Sequence, residues 1–166
     1  MVDHRRDIEA IAAEIGPTVK ALQIIHGALM GGVLFFFTVM IVLGLKFTDD
    51  PTAVPLIPIG VALSAVMLSF FMPAFIRQAQ IKKATADSSL NTQLLQSAFQ
   101  TGHIIGMALL EFACFVTCFA LTGSLGTVPN WFLAVPVTLL MLMAIRFPRK
   151  QAVVEWIVAR LEESAM

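Results

Sequence analysis

Charge is scarce in this sequence. Asp, Glu, Lys and Arg make up 13% of its 166 residues, about half the share of roughly 25% in a soluble domain. The 11 basic and 11 acidic residues cancel to a formal net charge of +0, so no global basic field exists and nucleic acid is excluded as a partner. Cysteine is almost absent: Cys114 and Cys118, one helical turn apart in an apolar stretch, rule out a disulfide framework. The opening Met-Val-Asp-His-Arg-Arg-Asp is charged, and no short apolar run with a small-residue cleavage site follows at once, so no removable signal peptide is expected. No metal-ligand pattern and no hydrolytic triad stands in the apolar stretches; neither a cofactor nor enzymatic activity of its own is expected.

What the chain has instead is apolar surface, with 58% hydrophobic residues and a mean hydropathy of +0.85. A globule this small exposes much of its surface, so the excess must face lipid. A bilayer-crossing helix needs about 20 predominantly apolar residues, and four segments supply them: Leu22 to Phe47, Val54 to Ile76, Ala98 to Thr122 and Pro129 to Phe147. The expected fold is all-α, a multi-pass bundle of four transmembrane helices over 19–147, with amphipathic segments at 1–18 and 148–166. Ile8, Ile11, Ala12 and Ile15 recur at helical spacing in the first, and Val153, Val154, Ile157 and Leu161 in the second. Both fit helices lying in the membrane interface, or packing on each other and on the central loop.

The links after the first and third spans, Thr48-Asp49-Asp50-Pro51 and Gly123-Ser124-Leu125-Gly126-Thr127, are short. Basic residues gather on the other side: Arg5, Arg6, Lys20, Arg77, Lys82, Lys83, Arg146, Arg149 and Lys150, against Lys46 alone in the opposite links. The positive-inside bias therefore places both termini and the middle loop in the cytoplasm, for a protein of the cell (inner) membrane. From Gln78 to Ser97 there is no glycine or proline, so the second and third helices are expected to run on beyond the bilayer, with Asp87 or Ser88 capping the third.

Displacing the sequence by 80 positions aligns Ile24-Ile25 with Ile104-Ile105, Ala28-Leu29 with Ala108-Leu109, and Phe35 with Phe115. A duplicated helical hairpin is one reading, with Gly31 then in the place of Glu111; chance matching of apolar residues is the other.

Glu111 is the sharpest feature, near the middle of the third span with no basic residue in that span. Its charged form is very costly there, so the neutral acid is the expected resting form. Such a group either binds and relays protons or serves as a hydrogen-bond bridge between helices. Gln93, Gln96, Gln100, His103, Met107, Glu111, Cys114 and Cys118 fall on one helical stripe, in which Gln100 and His103 offer a polar path from the cytoplasmic side; a packed seam is the plainer reading, with Met107 filling a gap. His26 and His103, at similar depth, pose the question of a bis-histidine haem b anchor, against the plainer reading of two interfacial hydrogen bonds. Gly27 with Gly31, Ala28 with Gly32, and Gly102 with Gly106 are spaced by four, as in close helix packing and self-association.

From Ile57 to Thr122 the chain resembles the helical hairpin of the ATP synthase subunit c, or proteolipid, family. The likeness rests on Gly60, Ala62, Ser64 and Ala65, on Arg77-Gln78, and on Ile-Ile-Gly-Met-Ala-Leu-Leu-Glu from 104 to 111. The resemblance implies that Glu111 is an ion-binding carboxylate and that Arg77 and Gln78 form a loop meeting a cytoplasmic partner. Phe112 stands where sodium-type members place a hydroxyl, which implies protons. The chain departs from the family in having Phe70 and Phe71 where glycines repeat, and Ala79 where proline follows Arg-Gln. The expected function is that of a membrane subunit, in a homo-oligomer or with other membrane subunits, handling protons at Glu111; a purely structural scaffold is the alternative.

Overall fold

The structure is a computed structural model and describes residues 4–50, 54–87, 91–123 and 127–165, with side chains over 9–50, 54–83, 91–123 and 127–163. Arg5, Arg6 and Ile8 as side chains, Ser88, and the link at 124–126 lie outside the described residues. The elements run α1 (His4–Leu43), β1 (Phe47–Thr48), α2 (Leu56–Asp87), α3 (Thr92–Ala120), β2 (Val128–Pro129), a 3-10 turn (Asn130–Leu133), α4 (Ala134–Ile145) and α5 (Lys150–Ala165). Among the described residues the regular elements are helical apart from two two-residue strands.

Among the described residues three helices are long and apolar enough to cross a membrane: Glu9–Leu43, Leu56–Lys83 and Thr92–Ala120. The fourth expected span is a broken element. Its helix α4 has 12 residues, about 18 Å at 1.5 Å per residue, short of a hydrocarbon core of about 30 Å. Asn130–Ile145 and Lys150–Glu163 qualify as a span only when taken together across a break. Pro148, three residues past the end of α4, cannot donate to a continuing helix.

Contacts divide the chain into two compact units. The first comprises residues 1–26, 72–105 and 147–166. Ile15, Val19, Leu95, Val153, Val154 and Ile157 are buried together at its core, with Ile11, Phe99, Trp156 and Leu161 packed against them. Charged residues such as Glu14, Lys20, Lys82, Lys83, Glu155 and Arg160 are exposed around it. The apolar faces of α5 and of the start of α1 are turned to a shared protein core, which is the packing reading of these two segments. Helix α1 runs unbroken through Pro17 and past the expected boundary at residue 18. Pro17 is exposed, so the carbonyl that loses its helical donor there can be hydrated. Asn91, and not Asp87, caps α3: its Oδ1 accepts from the Leu94 backbone N–H at 2.9 Å.

The second unit comprises residues 27–71 and 106–146. Its core joins Val33, Ala62, Ala65, Met107, Leu110, Ala113, Cys114, Leu139 and Met143, and its surface is a field of exposed Leu, Ile, Val, Met and Phe. On α2 exposed large apolar residues run from Leu56 to Phe75, about 28 Å of helix, which matches the hydrocarbon thickness.

At one end of this unit Gly44 closes α1 and Gly123 closes α3, both at positive φ, 95° and 77°, the left-handed conformation that glycine adopts at helix ends. Just beyond, β1 and β2 pair in parallel, Phe47 with Val128 and Thr48 with Pro129. The Lys46 N–H donates to the Leu121 carbonyl at 2.8 Å. The two links thus lie side by side at a displacement of 81 residues, read from those paired numbers.

Candidate functional site

Glu111 lies in the second unit on α3, nine residues before its end, or about 14 Å along the axis. Its side chain is half-buried and turned to α1, where Gly32 makes room: a Cβ on Gly32 would stand 3.6 Å from Glu111 Oε1. The glycine facing it is Gly32. One turn beyond, Phe36 of α1 meets Phe115 of α3 edge-on at 5.0 Å and closes the seam. Cys114 and Cys118 are free thiols, buried, and Thr117 turns its hydroxyl to the Ala113 and Cys114 carbonyls at 2.9 and 3.0 Å. Among the described residues no side chain or backbone group hydrogen-bonds or ion-pairs with Glu111.

The first unit holds the other polar cluster. His26 is buried, and its Nδ1 is 3.0 Å from His103 Nε2, so one imidazole donates and the other accepts. His103 stacks on Phe99 at 6.2 Å, and His26 meets Phe147 edge-on at 5.2 Å. The Arg77 guanidinium lies over Phe99 at 4.7 Å and over Trp156 at 5.6 Å. Gly102 admits that side chain: a Cβ there would fall 2.7 Å from Arg77 Nε and 3.0 Å from the Pro73 carbonyl oxygen. Gln23 ties α1 to the start of the final segment, its Nε2 donating to the Pro148 carbonyl at 2.9 Å.

Two expectations change here. Arg77 and Gln78 form no loop; they sit within α2, which continues to Asp87 because nothing between them breaks a helix. Gln78 is exposed, whereas Arg77 is packed into the unit's interior. The two histidines bond to each other directly, while an iron held between two imidazoles would part their nitrogens by about 4 Å, twice a metal–nitrogen bond of about 2 Å. Gln100 is half-buried on α3. Among the glycines expected to pack, Gly102 and Gly106 are buried, whereas Gly27 and Gly31 are exposed with nothing within 4 Å of an added Cβ. Among the described residues no group of three or more His, Cys, Asp or Glu is placed to hold a metal.

One constellation was missed in the sequence. Pro73 has no N–H for the carbonyl of Ser69, four residues before it, and Arg146 supplies the bond: its Nη1 donates to Ser69 O at 3.0 Å, while its guanidinium lies 4.0 Å over the Phe70 ring. The readable signal was the Ser-to-Pro spacing, which announces an orphan carbonyl; which donor meets it is a matter of tertiary packing.

The class defined by these features is a multi-pass helical membrane protein. Comparison with protein-family models, curated proteins and solved structures finds no match for the chain.

Proposed function

We propose that the chain is an integral subunit of a cell (inner) membrane assembly that takes up and releases protons at Glu111. The observation that carries this reading is the half-buried carboxyl set against Gly32 at mid-helix with no hydrogen-bond partner among the described residues. A glutamic acid kept as interhelical glue needs a partner group to bond; an exchangeable acid needs room and a free oxygen. Phe112 beside it brings no hydroxyl, which favours a proton over a sodium ion, as the likeness to the proteolipid hairpin implies.

The 3-10 turn adds about 8 Å to the 18 Å of α4, so the two together span about 26 Å and serve as a fourth crossing. With four crossings both termini and the 77–97 segment lie in the cytoplasm, where the basic residues gather. The open Gly27 and Gly31 face of α1 is the surface for a second copy or another subunit. A scaffold without proton exchange is the competing reading, favoured by that same open face. Glu111→Gln keeps the shape and cannot exchange a proton. In reconstituted vesicles it is expected to abolish the proton flux that the wild type supports, and equal flux from both proteins would remove the proton-handling role.

A further inference from the structure

Arg146 is the basic residue that closes α4, and it is held in place. One N–H of its fork is engaged by the Ser69 carbonyl at 3.0 Å, and one face of the guanidinium is covered by Phe70 at 4.0 Å. The side chain is half-buried, next to Ile145, which is 78% exposed on the apolar surface. A guanidinium does not lose its proton in a protein, and it has five N–H donors. Its charge therefore has to be balanced from outside or inside the chain.

The second unit offers no acid for this. Its only carboxylates are Asp49, Asp50 and Glu111. The two aspartates follow β1, at the end of the unit where α1 has closed, and among the described residues no ion pair joins any carboxylate to Arg146. Along α2, Ser69 lies six residues short of Phe75, where the exposed apolar band ends, about 9 Å inside it. An arginine at that level draws headgroups inward by local thinning of the bilayer, and its planar fork suits a phosphate better than a lysine would.

We infer that Arg146, fixed by Ser69 and Phe70, binds the phosphate of a membrane phospholipid through the N–H groups left facing lipid. The anchoring bond to Ser69 O and the ring beneath it pre-organise the fork. The lipid then completes the coordination that the protein lacks.

The test is native mass measurement of the purified full chain from mild detergent, after exposure to phosphatidylglycerol, to diacylglycerol of the same acyl chains, or to inorganic phosphate. The wild type is expected to retain one phosphatidylglycerol and no diacylglycerol, with inorganic phosphate failing to displace the lipid. Arg146→Gln is expected to weaken retention about tenfold and Arg146→Lys to weaken it less. The double variant Arg149→Gln/Lys150→Gln should retain lipid as the wild type does, which separates the site from general surface charge. Helicity by circular dichroism confirms that each variant is folded, and if Arg146→Gln is not, the Lys variant against the double variant decides. Equal retention by wild type and the folded Arg146 variants, equal retention of diacylglycerol, or displacement by inorganic phosphate would each overturn the assignment.

Discussion

Gly102 and Gly27 are the same residue in opposite surroundings. The first stands where a side chain would strike the Pro73 backbone oxygen and Arg77 Nε, and a backbone atom cannot move aside cheaply. Gly102→Ala is therefore expected to destabilise the protein by about 1–3 kcal/mol through overpacking, measured by denaturant or detergent unfolding. Gly27→Ala has open space to fill and removes a flexible helix position, so its subunit should unfold at the same denaturant concentration or a higher one, by up to about 1 kcal/mol. If Gly27 marks an assembly face, the same change lowers association measured by energy transfer between labelled copies in vesicles. The sequence showed both glycines at the same spacing of four. It carried no sign of which one is enclosed, because that depends on where Arg77 goes, and a side chain's destination across helices is not written in local periodicity.

At the scale of elements, the apolar runs announced α1, α2 and α3 well, since each is long, periodic and free of interior breakers apart from proline at tolerated places. The end of α3 was readable at the link opened by Gly123, whereas the first span was expected to run to Phe47, past the Gly44 that closes α1. The fourth run was read from composition, which counts residues and not their conformation: Asn130–Leu133 winds as a 3-10 turn and Ala134–Ile145 as α-helix. The terminal helices show a second limit. An amphipathic stripe states that one face is buried and leaves open what covers it, and here Ile15 and Ile157 are covered by each other's core. That difference is measurable through Trp156, which packs against Phe99 at 5.4 Å. With Trp131 replaced by Phe, the remaining tryptophan emission is expected to resist quenching by brominated lipids. Strong quenching would return α5 to the membrane interface.

For the whole molecule, the decisive question is the number of crossings, three by helix length or four when the broken pair counts as one. An even number puts both ends on one side. Single cysteines placed at Asp50, Lys83 and Glu163 in a chain with Cys114 and Cys118 replaced by alanine should sort into two classes toward a membrane-impermeant reagent. Positions 83 and 163 are expected to label together and position 50 from the opposite side; 163 labelling with 50 would leave three crossings. The candidate acid was visible in the sequence because nothing else charged shares its span. That its oxygens find no hydrogen-bond partner among the described residues was not, since that required knowing that α1 presents Gly32 and Phe36 beside it.

The parallel pairing of Phe47–Thr48 with Val128–Pro129 joins the two links through main-chain groups. Such a seam is intolerant of changes in chain length. Val128 is buried in one core with Phe132, and Phe47 packs against it, so descendants of this gene should keep apolar residues at these positions, while an insertion in either link ahead of the pair would misalign both helices that follow.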